Sequence, residues 1–140
     1  MSVKTLNPYI NFNGTAAKAI QLYESALGAK TEHVMRFGDT PGMNAPADQK
    51  DLILHAALRI GDGTLMMTDA PPNQPVPTEG NINVALHYTD VAETERAFQA
   101  LAAGGKITSP LQDTFWGAKF GMLTDAYGIG WMFNCELKKA

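Results

Sequence analysis

Cysteine is nearly absent from this chain: Cys135 is the only one in 140 residues. A lone thiol forms no intrachain disulfide and builds no thiolate metal cluster. With no basic neighbour to activate it, Cys135 reads as inert. Long apolar runs are missing too, since none approaches the roughly 18 residues needed to cross a bilayer as a helix. Lys4, Asn7, Pro8, Asn11 and Asn13 break up the first segment, so no signal peptide is expected. These absences point to a cytoplasmic protein without a membrane partner. Charge of one sign is scarce: the net charge is -3 and the pI near 5.5, no footprint for a nucleic-acid backbone. Lys138 and Lys139 are too few for a basic patch and read as a solvated end. A Walker-type loop, a dinucleotide fingerprint, a serine elbow and a His-Glu-x-x-His motif are all lacking.

What remains is an ordinary globular composition, 45% hydrophobic and 18% charged, with mass enough for one well-buried core. Its most informative stretch, PYINFNGTAAKAIQLYESALG from Pro8 to Gly28, returns in weaker form later in the chain. Setting Ala16 on Ala92 places Leu22 on Phe98, Ala26 on Ala102, Gly28 on Gly104 and Lys30 on Lys106. Each copy reads as a short apolar strand, a one-faced helix, a glycine, and a lysine that opens another strand. So long a period implies two related halves, and a cleft between such halves is a natural small-molecule site.

The elements follow from period and punctuation. Leu6 to Phe12 reads as a strand. Ala16, Ala19, Ile20, Tyr23 and Leu27 mark one face of a helix that Gly28 stops. Lys30 to Phe37 is a strand, and the turn-rich GDTPGMNAPADQK from Gly38 to Lys50 reads as a mobile loop. Leu52 to Ile60 and Thr64 to Thr68 form a hairpin. The proline-rich Asp69 to Gly80 links the halves. Ile82 to Tyr88 opens the second half, and Asp90 caps a helix from Val91 to about Ala103, with Glu93 completing a capping-box-like pair. Strands follow at about Lys106 to Gln112, Lys119 to Thr124 and Gly130 to Glu136. The order is βαβββ twice, an α+β chain in modules of about 1–70 and 80–140, with curved mixed sheets around a shared cleft.

This order, with PYINFNGTAAKAIQLYESALGA, RIGDGTLMMTDA and DTFWGAKFGMLTDAYGIGWMFN, resembles the vicinal oxygen chelate superfamily of glyoxalases, bleomycin resistance proteins and extradiol dioxygenases. The resemblance is strongest to its PhnB-like branch, also described as a 3-demethylubiquinone-9 3-methyltransferase domain. It covers nearly the whole chain and implies a homodimer. Methyl transfer is not expected, because GDTPGMN does not run from a strand into a helix as a methyl-donor site requires. The branch often carries an acid–base pair after Trp-Gly, where this chain has Ala118-Lys119.

Superfamily enzymes hold a divalent metal with four side chains. The resemblance carries those positions onto Pro8, Met66 (Met67 if the register slips by one), Asn83 and Met132. Proline has no side-chain donor, a thioether suits a hard divalent ion poorly, and one amide oxygen does not hold a metal alone. The expectation is no metal and no cofactor, and a small-molecule cleft lined by Phe12, Met66, Asn83, Trp116, Met132 and Asn134. Two enzymatic alternatives stay open. One is a metal-dependent lyase or dioxygenase with ligands placed elsewhere. The other is a metal-independent enzyme in which strand alternation, with Asn83 facing Met132, sets His87 beside Glu136 as a proton-transfer pair. The plain reading of His87 and Glu136 is a solvated rim pair. His33 and His55 read as ordinary strand histidines, and Asp69 and Asp125 as turn residues. Trp131 and Phe133 should fill the core. Trp116 is a pocket or an interface residue, and Met66, Met67, Met122 and Met132 line the pocket or pack the core.

Overall fold

A computed structural model describes residues 2–137; Lys138 and Lys139 lie outside the described residues. The chain divides into two compact units, Met1–Val76 and Pro77–Ala140.

The first unit runs β1 (Tyr9–Phe12), α1 (Ala16–Leu27), β2 (Lys30–Arg36), β3 (Ile53–Ile60) and β4 (Gly63–Asp69). Its sheet has the order β1-β4-β3-β2, with β1 parallel to β4 and the other neighbours antiparallel. β1 begins three residues later than the apolar pattern suggests. Pro8 has no N–H for a ladder, although its carbonyl still accepts from Met66 N at 3.0 Å, and Leu6 is exposed. Ala16, Ala19, Ile20 and Tyr23 are buried as the helical period requires. Ala26 joins them in place of Leu27, which is only half-buried. Gly28 takes φ 67° and closes α1 in the left-handed conformation that glycine adopts at least cost. The segment read as a loop from Gly38 carries short 3-10 turns at 37–39 and 47–49. Its ends are joined by Phe37 N to Leu52 O and Gly38 N to Lys50 O.

Asp69 is not the turn residue that its position suggested. It is 3% exposed and closes β4, where Oδ1 accepts from Ala16 N at 3.0 Å and Oδ2 from Ile53 N at 2.8 Å. One carboxylate therefore caps α1 from across the fold and fixes the start of β3. The local cap is missing: Thr15, at the N-cap, makes no side-chain capping bond.

The second unit repeats the order with β5 (Asn83–Tyr88), α2 (Val91–Ala102), β6 (Lys106–Asp113), β7 (Ala118–Thr124) and β8 (Gly130–Glu136). Its sheet order is β5-β8-β7-β6, with β5 parallel to β8. Here the cap is local, as the sequence implied: Asp90 Oδ2 accepts from Glu93 N at 2.8 Å. Trp131 and Phe133 are fully buried. Phe98 from α2 meets Phe133 edge-on at 5.1 Å, and Tyr88 stacks on Phe133 at 5.6 Å. Asp125 does serve a turn, accepting from Tyr127 N and Ile129 N, but it also accepts from Trp131 Nε1 at 2.9 Å. It locks the core indole to the β7–β8 hairpin.

The two capping modes predict different losses. Asp69→Ala leaves two buried N–H groups unpaired and should cost about 2–6 kcal/mol, at roughly 1–3 kcal/mol for each orphaned group. Asp90→Ala should cost about 1 kcal/mol, the usual value of an N-cap. Urea unfolding of the two variants measures the difference, and equal losses would contradict the assignment.

Candidate functional site

Alternation along each strand sorts the candidates by face. In the first unit Phe12, Leu65 and Met67 are buried on the face that packs against α1. Phe12, at 2% exposure, is therefore a core residue and not a lining of the open face, which corrects the expectation for it. The face turned away from α1 carries Tyr9 and Met66, paired across β1 and β4, with His55 and Ala57 on β3 and His33 and Met35 on β2. Pro8 precedes β1 and has the opposite parity, so Tyr9 is the side chain facing Met66. Tyr9 meets His55 edge-on at 5.9 Å, and His55 meets His33 at 5.6 Å. The sequence reading treated both histidines singly, because a cross-strand pair shows only once register is known.

In the second unit Asn83, Met132, Asn134, His87 and Glu136 do share the face turned away from α2, as alternation implied. Their register differs by two residues. Asn83 pairs with Gly130, Ala85 with Met132, and His87 with Asn134. At the first of these pairs the Asn83 side-chain oxygen lies over Gly130, in the space where a Cβ at that position would stand. His87 is therefore diagonal to Glu136 rather than beside it, and no ion pair among the described residues joins them.

The candidates of this unit border two separate cavities. His87, Tyr88, Thr89, Asn134, Glu136 and Leu137 line one of about 380 Å³. Asn83 borders another, of about 600 Å³, together with Lys106, Thr108, Thr124 and Gly130. Both volumes fall in the range of small-molecule pockets. Tyr88, which the sequence reading passed over, stands in the first. Burial, with the Glu93 carboxylate as the smaller cause, pushes its phenol up to about 12. Trp116 is 57% exposed in the turn between β6 and β7, edge-on to Phe115 at 5.0 Å and to Phe120 at 6.0 Å. Phe120 pairs with Asn134, so Trp116 borders the same face. Lys119 points elsewhere: its ammonium meets Asp113 at 2.9 Å, and that hydrogen bond raises its pKa.

Two βαβββ units, each with its first and last strands paired in parallel, define an α+β fold built from similar modules. The chain belongs to the Glyoxalase/Bleomycin resistance protein/Dioxygenase superfamily, whose model matches residues 5–133. Protein YjdN of Escherichia coli (strain K12) is 36% identical over 138 residues, covering 92% of this chain and 93% of that protein. The crystal structure of protein PA1353 from Pseudomonas aeruginosa is 42% identical, with a TM-score of 0.86 over 97% of this chain and all of that one. A PhnB protein from Bacillus cereus shares the fold at 22% identity, with a TM-score of 0.76 over 94% of this chain and 99% of that chain.

The side chains at the four positions that the resemblance assigns to the superfamily metal do not fit such an ion. Pro8 offers none, and Tyr9, which takes its place on the open face, presents a phenol ring. Met66 and Met132 present thioethers, and Asn83 one amide oxygen, which lies over Gly130. Among the described residues no group of three or more His, Cys, Asp or Glu side chains is arranged to hold a metal ion.

Tyr88 supplies a titration test. Its folded pKa lies above the unfolded value of 10, so the folded state keeps a proton that the unfolded chain loses between pH 10 and about 12. Its contribution to stability is complete below pH 10 and falls as pH rises to about 12. Tyr88→Phe should remove the part of the phenolate absorbance rise near pH 12 and flatten the stability loss across that window. An unchanged absorbance titration would contradict the assignment.

Proposed function

We propose that this chain is a small-molecule binding protein that works without the divalent metal of its superfamily, as a cytoplasmic homodimer. The observation that carries the reading is the character of the open sheet faces. At the positions the resemblance assigns to the metal, Tyr9, Met66, Asn83 and Met132 put a phenol, two thioethers and one amide where a metalloenzyme needs imidazoles and carboxylates, and Phe120, Met122 and Asn134 flank Met132 on its face. Thioether and aromatic surfaces adapt to flat or irregular apolar ligands, and Asn134 supplies both a donor and an acceptor for orientation. Such a protein sequesters its ligand rather than converting it. The donor set weighs equally against a metal-dependent lyase or dioxygenase.

A second reading rests on the smaller cavity. His87 and Glu136 border it together, and a ligand placed between them meets an imidazole and a carboxylate without needing the two to touch. That arrangement suits metal-independent proton transfer.

Thermal-shift screening against a panel of apolar, drug-sized compounds tests the first reading. A ligand at a hundred times its dissociation constant stabilises by about 2.7 kcal/mol, a shift of several degrees for a chain of this size. The shift should be lost in Met132→Lys and kept in His87→Ala. A compound that the protein consumes, with turnover abolished by His87→Ala, would favour the enzyme.

A further inference from the structure

The first sheet carries a cluster that the superfamily positions do not include. We propose that His33, His55 and Met35 form a binding site for a soft monovalent metal ion, copper(I) in chemical class, on the face of the sheet turned away from α1.

Register brings the three together. Met35 lies directly opposite His55 in the antiparallel ladder of β2 and β3, and His33, two residues along β2, is on the same face. The imidazole centres of His33 and His55 are 5.6 Å apart, with ring planes inclined by 47°. A metal–imidazole bond of about 2.0–2.1 Å puts each ring centre about 3.1 Å from the ion. Two rings on one ion then have centres about 5.1 Å apart at a tetrahedral angle, about 5.4 Å at a trigonal angle and about 6.2 Å in line. The observed spacing lies between trigonal and linear, which is open geometry with room for one thioether as third ligand. His55 is held from its other side by the edge-on ring of Tyr9, so half of the pair is already oriented. Neither imidazole is engaged in a hydrogen bond among the described residues.

The donors select the metal. Two neutral imidazoles and a thioether carry no charge and include one soft sulfur, a set that favours copper(I) over zinc(II) and over hard ions. Glu32 is the one carboxylate on β2, and Arg59 engages it at 3.2 Å, so no carboxylate is left there to recruit a hard cation. The cluster lies on β2 and β3, whereas the positions that the resemblance assigns to the superfamily metal lie just before β1 and on β4, β5 and β8. The inference therefore stands whether or not the ligand-binding reading does.

Silver(I), a redox-inert probe of the same class, tests it on the full chain. The readouts are the imidazole signals of His33 and His55 and the methyl signal of Met35 in NMR. One equivalent should move all three together. His33→Asn changes an exposed residue and should weaken binding by about tenfold or more, since even an outer-shell partner is worth 10–100-fold. Met35→Leu should weaken silver(I) binding and leave any zinc(II) response unchanged. A silver response confined to Cys135 or to other methionines would overturn the proposal. So would a His33→Asn protein that binds silver(I) as the parent does.

Discussion

The carboxylate of Asp69 is the point on which the first unit depends. Its two oxygens join the end of β4, the first turn of α1 and the first residue of β3, three segments far apart in sequence. A buried carboxylate is tolerated only where backbone donors satisfy it, and here each oxygen has one. The tie holds the first turn of α1 against the ends of β3 and β4, while strand alternation decides which residues face the helix. Phe12, Leu65 and Met67 turn inward; Tyr9 and Met66 are left on the other face.

The second unit reaches the same architecture differently. Asp90 caps α2 locally, and the buried carboxylate is Asp125, which ties a turn to the Trp131 indole. The two halves thus preserve the βαβββ order while relocating the polar group that organises it. The residues under least constraint to match are those on the faces turned away from the helices. There one half presents an aromatic and imidazole row, and the other presents methionine, asparagine and a His87–Glu136 cavity.

Much of the fold was legible in the chain because period and punctuation are local. The α1 face, the Gly28 stop, the Asp90 cap and the extent of β8 all follow from neighbours within a few residues. Parity was legible too, so Asn83, Met132, Asn134, His87 and Glu136 were assigned to one face correctly. Register was not. A shift of two residues leaves every side chain on its face, so no apolar pattern reports it. It becomes visible only in the β5–β8 pairing itself, where Asn83 stands opposite Gly130. Phe12 was misplaced because it shares the parity of Pro8, the position the resemblance put at the metal, whereas Tyr9 is the residue that faces Met66. The His33–His55 pair and the role of Asp69 were hidden for the same reason: each exists only between segments that pairing brings together.

The central claim is that the superfamily fold is kept while its divalent metal chemistry is not. The most direct measurement is elemental analysis of tag-free protein for zinc, nickel, manganese, iron and cobalt, before and after dialysis against a chelator. The account predicts far less than one such ion per chain before dialysis, and no change in folding or ligand binding after it. About one tightly held divalent ion per chain, with loss of either property on its removal, would contradict it.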